Sequence, residues 1–336
     1  MTLEILWFCL IAVLWSGYFV LEGFDFGVGI LLPFLGREEE DRDAMLGAVE
    51  PVWDGNEVWL VIAAGATFAA FPAWYATMFS GLYLALALIL VLLILRVLSF
   101  EWRGRGEGRW RGRWERANTV ASVGAPFLWG IALSSLLWGL PLDGDGHFTG
   151  DVLDLFSPYT VLAGIATVAL FALHGASFVA LRTSGALRER AAHAARRLGL
   201  PVALVGCAFL AATVAVAVGN NERAALPVLV PALLGGAALV LAALFAARGA
   251  SGRAFAMSAL GAVGLVATLF CGLYPRVLVS RPDFANSLTV ADAATAHYAL
   301  SVITVVGAIM LPVILLYQGW TYHVLRVRLG SGAPPR

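Results

Sequence analysis

Nine long apolar runs constrain the fold of this chain more than any other feature of its sequence. A helix needs about 20 mainly apolar residues to cross the hydrocarbon core of a bilayer, and each run is close to that length or longer. The runs cover residues 4–34, 55–73, 76–98, 118–138, 159–181, 200–219, 227–247, 255–275 and 295–323. The composition agrees, because 60% of the residues are hydrophobic and only 13% are charged. The sequence therefore predicts an all-α polytopic membrane protein with nine transmembrane helices.

The arginines are distributed unevenly among the loops that connect these runs, and the sequence contains no Lys. Eighteen arginines lie in the first, third, fifth and seventh loops and in the C-terminal tail, which would all face one side of the membrane. The alternate loops hold only Arg223, Arg276 and Arg281. Because arginine-rich loops stay in the cytoplasm, we predict that the N-terminus is outside and the C-terminus is cytoplasmic. An odd number of helices agrees with that prediction.

A faint internal repeat indicates how the helices are grouped. Glu22–Phe26 (EGFDF) ends the apolar part of the first run, and His174–Phe178 (HGASF) has a similar place in the fifth run. We interpret this similarity as a pseudo-repeat, which predicts two four-helix bundles plus one extra helix. The predicted parts are residues 1–138, 159–275 and 295–323 of a single integral membrane domain that spans 1–336.

Two pairs of acidic residues lie within or beside apolar runs. Glu22 and Asp25 are three residues apart in the first run, so a helix places them near one face. Asp54 and Glu57 have the same spacing at the start of the second run. Carboxylates are costly at membrane depth, which favours a proton-conducting or polar-cavity face over a packing site for the first pair. For the second pair both interpretations stay open, since the helix dipole stabilises acids in a first turn and Asp54 could be an N-cap.

Three other residues are candidates for a role near these acids. Arg96 could pair with the acids or extend to the cytoplasmic surface, and the sequence alone favours extension. Trp59 is expected to face the same region. His174 could be a haem ligand, a proton carrier or a hydrogen-bonded core residue, and an isolated His favours the last. No motif predicts a metal site in this chain, and the arginine-rich stretch 103–116 is typical of a topology signal that contacts anionic lipid rather than nucleic acid.

Six motifs are spread from the first predicted helix to the ninth. They are Gly23–Gly29 (GFDFGVG), Trp53–Trp59 (WDGNEVW), His174–Ser177 (HGAS), Asn286–Ala294 (NSLTVADAA), Leu311–Pro312 and Tyr317–Tyr322 (YQGWTY). In this order they resemble subunit II of cytochrome bd-type quinol oxidases. The combination is specific, although each motif alone is weak. The predicted number of helices and the N-out orientation also fit this family.

The resemblance implies a partner, a reaction and a location for this chain. A larger subunit I would carry the haems b and d of the complex and its quinol-oxidising loop. The complex would lie in the cell membrane of a bacterium or archaeon, oxidise quinol, and reduce dioxygen to water. Because the protons would come from the cytoplasm, the reaction would generate a proton motive force without pumping. Some members of the family also hold a structural quinone in this subunit, and small accessory subunits are a further expected partner.

The resemblance also implies roles for particular residues of a haem-free partner subunit. Asp25 and Asp54 would be acids of a cytoplasmic proton path, and Arg96 would lie beside it. The complete predicted path comprises Asp25, Asp54, Glu22, Glu57 and Arg96. Trp59 resembles a residue near an oxygen-access tunnel.

A proton-coupled secondary transporter is the alternative function, with the acids as coupling sites and the weak repeat as its architecture. A transporter would act as a complete unit without a chromophore, whereas an oxidase subunit would co-purify with a haem-bearing partner. The glycine-rich stretch of the first helix has only a faint counterpart in the fifth, which favours the oxidase.

Overall fold

The computed structural model of this chain describes residues 2–221, 224–281 and 283–324. Four of the arginines used to predict the orientation lie outside the described residues. They are Arg223, Arg326, Arg328 and Arg336.

Helices dominate the described residues. The helices are α1 (Leu3–Leu35), α2 (Glu39–Val49), α3 (Trp53–Ala70), α4 (Pro72–Gly81), α5 (Tyr83–Arg103), α6 (Arg109–Trp138), α7 (Pro158–Arg182), α8 (Gly185–Asn221), α9 (Ala225–Ala247), α10 (Ser251–Leu273), α11 (Val290–Ala293) and α12 (His297–Val324). Two short strands, β1 (Arg276–Leu278) and β2 (Leu288–Thr289), pair antiparallel before α11. The all-α prediction is therefore correct for every long element and misses only this small sheet.

Eight helices of the described chain are long and apolar enough to cross a membrane, where the sequence predicted nine. They are α1, α5, α6, α7, α8, α9, α10 and α12. The predicted run 55–73 forms α3, which has 18 residues and begins with Asp54, Asn56 and Glu57 in its first two turns. These polar side chains lower the mean hydropathy of α3, so length and composition alone do not mark it as a membrane span.

Several helix boundaries in the structure differ from the predicted ones. The run predicted at 76–98 is divided at Leu82 into α4 and α5. Pro72 is the first residue of α4, where a missing N–H costs no helical hydrogen bond. The predicted loops 99–117 and 182–199 are largely helical, because α5, α6 and α8 continue beyond their apolar parts. Polar residues do not end a helix when solvent or an ion pair satisfies their side chains.

Ion pairs connect four helices at the end of the bundle where α1 finishes. Arg103 of α5 contacts Asp43 of α2 at 2.5 Å and Glu115 of α6 at 2.9 Å. Arg190 of α8 contacts Asp41 of α2 at 2.5 Å. The unpredicted helix α2 is therefore fixed against the ends of the long helices.

Helix α1 is central to the packing, since it contacts α3, α6, α7 and α10. The closest approach is between Gly27 of α1 and Gly175 of α7. A Cβ atom built on Gly27 would lie 2.0 Å from the carbonyl oxygen of Phe171, and one on Gly175 would lie 2.3 Å from the carbonyl carbon of Gly27. Only glycine permits the two backbones to touch in this way. Helices α7, α8, α9 and α10 pack on one another beside this crossing, and the internal repeat stays a prediction.

Candidate functional site

A buried arginine joins two of the predicted acids. Arg96 of α5 donates from Nη1 to Oε1 of Glu22 on α1, and the same nitrogen lies 3.4 Å from Oε1 of Glu57 on α3. Arg96 is 1% exposed and its guanidinium carbon lies 4.6 Å from the centre of the Phe26 ring. The expected extension of Arg96 to the surface was wrong. Two carboxylates and an aromatic face offset part of the cost of burying this cation.

Asp25 belongs to a second hydrogen-bonded group one turn along α1. Its Oδ2 accepts a hydrogen bond of 2.8 Å from Nδ2 of Asn56, and that nitrogen also lies 3.3 Å from the carbonyl oxygen of Leu21. The amide oxygen of Asn56 accepts hydrogen bonds from Tyr322 at 2.7 Å and Gln318 at 3.0 Å. Asn56 therefore connects α1 to the last helix, α12.

Sequence reasoning missed Asn56, Gln318 and Tyr322 as site residues. The signal was present, because Asn56 lies in the same motif as Asp54 and Glu57, and both α12 residues lie in the motif Tyr317–Tyr322. What could not be read from the sequence is that these two motifs, more than 250 residues apart, meet at one amide.

Asp54 has a different environment from the other predicted acids. It is exposed in the first turn of α3, and Val52 rather than Asp54 is the N-cap. The structure does not bring Asp54 into the hydrogen-bonded groups described above. Glu57 is intermediate, with 23% of its side chain exposed, whereas Glu22 and Asp25 are buried. Exposure thus decreases from Asp54 through Glu57 to Glu22.

Several buried polar atoms at this site have hydrogen-bonding capacity that the described residues leave unused. They are Oε2 of Glu22, Oδ1 of Asp25, and Nε and Nη2 of Arg96. Buried polar atoms in proteins are almost always hydrogen-bonded to protein or to ordered water. The described residues therefore leave these four polar atoms for water to satisfy.

The two ring nitrogens of His174 on α7 both have protein partners. Its Nδ1 lies 2.7 Å from Oγ of Ser258, and its Nε2 lies 3.1 Å from the carbonyl oxygen of Val20. The ring is buried and stacks on Phe255 with 4.3 Å between the ring centres. Both ring nitrogens of His174 contact protein oxygens, and Phe255 covers one face of the imidazole ring. The environment of His174 therefore does not fit a haem ligand.

Trp59 fills the contact between α1 and α3. It is buried, and a Cβ atom built on Gly17 would lie 2.2 Å from its ring. Its proximity to an oxygen tunnel stays a prediction.

The chain is similar to subunits of one class of respiratory enzyme along almost its full length. Residues 3–325 match the family model described as cytochrome bd terminal oxidase subunit II. Cytochrome bd ubiquinol oxidase subunit 2 of Bacillus subtilis (strain 168) is 37% identical over 334 residues, which are 99% of this chain and 98% of the relative. Cytochrome bd-I ubiquinol oxidase subunit 2 of Escherichia coli (strain K12) is 34% identical over 356 residues, which cover 95% of this chain and 93% of that protein.

A solved structure has the same fold. In the structure of bd oxidase from Geobacillus thermodenitrificans, one chain matches with a TM-score of 0.73 at 20% sequence identity. The match covers 94% of this chain and 98% of the other. At this identity the similarity shows the fold alone.

Proposed function

This chain belongs to the cytochrome bd terminal oxidase subunit II family, and from that premise we propose that it supports subunit I and supplies protons to it. As a subunit of a quinol oxidase complex it is part of an oxidoreductase and has a subunit I partner in the membrane. The family assignment replaces the secondary transporter as an interpretation. We propose that the complex oxidises quinol, reduces dioxygen to water and takes the protons from the cytoplasm, which generates a proton motive force without pumping.

We place the haems b and d of the complex in subunit I. The contacts of His174 support this division, since a haem would have to break a hydrogen bond to Ser258 or to Val20 and displace Phe255. This chain then contributes structure and protons, and the redox chemistry takes place in its partner.

The proton path rests on one observation, the pairing of Arg96 with Glu22 and Glu57 inside the bundle. A proton that enters at the exposed Asp54 would pass to Glu57, one turn further along α3. Glu57 and Glu22 both contact the guanidinium group of Arg96. Protonation of one acid would therefore weaken its ion pair with Arg96 and strengthen the ion pair of the other acid. Water between the unpaired oxygens would carry the proton towards Asp25.

The orientation follows from the same premise. We propose that α3 is the ninth crossing, because about 27 Å of helix nearly matches the hydrocarbon core and its polar start would lie at the cytoplasmic surface. Nine crossings would put the termini on opposite sides, and the arginine-rich loops then assign the N-terminus to the outside and the C-terminus to the cytoplasm.

The test is the quinol oxidase turnover of the purified complex after Asp54→Asn, Glu57→Gln or Glu22→Gln. We expect turnover to fall by about tenfold or more for Glu57→Gln, because a titrating group on the path is lost while its shape is kept. The matched control is Glu40→Gln, which removes an exposed acid of α2 at the same end of the bundle. Haem content confirms assembly in every variant. Turnover equal to that of the control at every pH would exclude the path.

A further inference from the structure

The arginines of α5 and α6 at the end beside α2 form two sets with different surroundings. Arg103 pairs with Asp43 and Glu115, and Arg111 also pairs with acids of α2. These two arginines hold the helices together. The second set is exposed, and its members form no ion pair with any residue that the structure describes. They are Arg109, Arg113 and Arg116.

The second set forms one stripe along α6. Residues 109, 113 and 116 are separated by four and three positions, so their side chains lie on the same face of a helix. A Cβ atom built on Gly112, within this stripe, would meet nothing within 4 Å. The described part of the chain therefore leaves this face uncovered.

The arginine stripe continues directly into an apolar surface. Val120 and Val123 follow Arg116 by four and seven positions, and they are 60% and 39% exposed. A row of cations followed on the same face by exposed apolar residues matches the passage from lipid headgroups to acyl chains. This continuity indicates that the arginines lie at the level of the headgroups.

Three tryptophans border the stripe. Trp102, Trp110 and Trp114 contact one another with ring centres 5.9–6.1 Å apart, and Arg105 lies 5.1 Å from the centre of the Trp102 ring. Nε1 of Trp110 donates to the carbonyl oxygen of Trp102 at 2.8 Å, which fixes the cluster against α5. Tryptophan is enriched at membrane interfaces, where its ring contacts both the apolar core and the polar headgroups. Glu107 is the exposed acid of the connecting turn. Glu115, the acid of α6, pairs with Arg42 and Arg103 and not with the stripe.

We propose that this stripe, Arg109, Arg113 and Arg116 with the Trp102–Trp110–Trp114 cluster, is a binding surface for anionic phospholipid headgroups. Guanidinium groups bind phosphate oxygens through paired N–H donors, and an acidic headgroup adds a net charge that a zwitterionic lipid lacks. The bound lipid would hold the start of α6 at the membrane surface, next to the ion pairs that fix α2. An acidic face of another protein subunit is the competing occupant, and the apolar continuation through Val120 favours lipid.

The experiment uses the complete oxidase complex, purified in mild detergent and titrated separately with phosphatidylglycerol and phosphatidylcholine. Native mass spectrometry counts the lipids retained by each complex. The variant is R109Q/R113Q/R116Q. The matched control, R188Q/R196Q/R197Q, removes three exposed arginines of α8 at the same end of the bundle. We expect each lost arginine of the stripe to weaken phosphatidylglycerol binding by about fivefold, or on the order of 100-fold in total.

The outcomes separate the possible occupants. Loss of phosphatidylglycerol from the stripe variant alone, with full haem content and unchanged phosphatidylcholine binding, supports the site. Equal loss in the control variant would reduce the effect to general surface charge and overturn the proposal. Dissociation of the partner subunit with lipid binding intact would assign the stripe to a protein contact instead. Equal retention of the two lipids by the unmodified complex would also overturn it.

Discussion

At the scale of single residues, the amide of Asn56 has only one orientation that satisfies its neighbours. Its Oδ1 accepts from two donors on α12, Tyr322 and Gln318, so its Nδ2 must face Asp25 and donate to it. The hydrogen bond fixes which oxygen of Asp25 stays available to water. Asn56 is thus a positioning residue for the proposed proton path.

Replacing Asn56 by Leu tests this arrangement. The variant keeps the branched shape of the side chain but leaves Asp25, Tyr322 and Gln318 without their shared partner. An unsatisfied buried group such as the Asp25 carboxyl costs about 1–3 kcal/mol. We expect a markedly lower Tm of the purified complex, followed by haem absorbance, together with reduced turnover. Val58→Leu, at an exposed position of the same helix, should leave both unchanged. An unchanged Tm in Asn56→Leu would contradict the predicted role.

Asp41 gives a pH-dependent prediction outside the membrane-spanning segments. Its partial burial would raise the pKa of this carboxyl, but backbone N–H groups of Glu38 and Arg37 and the guanidinium of Arg190 donate to it and lower its pKa overall. A lowered pKa stabilises the folded state above the unfolded value of about 3.9. This contribution is lost as the pH falls through the folded pKa.

The corresponding variant is Asp41→Asn, compared with Glu40→Gln on the exposed side of α2. We expect Asp41→Asn to lower Tm at pH 7, because Arg190 loses its partner, and the difference from the unmodified complex to shrink as the pH falls below about 4. Thermal unfolding at a series of pH values measures it. A difference that grew on acidification would have the wrong sign.

At the scale of elements, the crossing of α1 and α7 depends on two glycines in direct backbone contact. A methyl group on Gly27 would meet the carbonyl oxygen of Phe171, which cannot turn away as a side chain can. The helices would have to separate, and the acids on α1 would move with their helix. The packing of this pair therefore determines the geometry of the site.

Substitutions at Gly27 measure how large a side chain the crossing of α1 and α7 accepts. Gly27→Ala should destabilise the complex by about 1–3 kcal/mol, and Gly27→Leu should prevent tight assembly and so lower the haem content of the purified complex. Gly65→Ala is the matched control, because a Cβ atom there meets nothing within 4 Å and alanine favours a helix. Normal haem content in Gly27→Leu would defeat the prediction.

At the scale of the whole molecule, the last helix has few contacts with the rest of the described chain. Helix α12 contacts α3 and α1, and most of its large apolar side chains are exposed, among them Val305, Leu316 and Trp320. Because so little of α12 is buried against the rest of its own chain, those contacts contribute little packing energy. Hydrogen bonds to Asn56 and from Nε1 of Trp7 to Oγ1 of Thr304 attach it to the bundle.

The proposed placement of the haems in subunit I predicts where haem absorbance will be found. The complex purified mildly from its native membrane should show haem in a reduced-minus-oxidised visible spectrum, and the isolated chain should show none. Replacement of His174 by Gln in the complex should then leave the haem bands unshifted. Haem retained by the isolated chain would make His174 a candidate ligand and overturn the proposed division.

The sequence by itself determined the class of fold and the motifs of the site. Long apolar runs are a local property, so they identified the eight apolar spans, and acids in apolar surroundings marked α1 and α3. The sequence could not determine that α2 is a helix, that Arg96 turns inward, or that Asn56 meets Tyr322. Each of these depends on partners distant in the chain. The energy of a buried ion pair or amide depends on the groups facing it, and only the tertiary structure decides which groups those are.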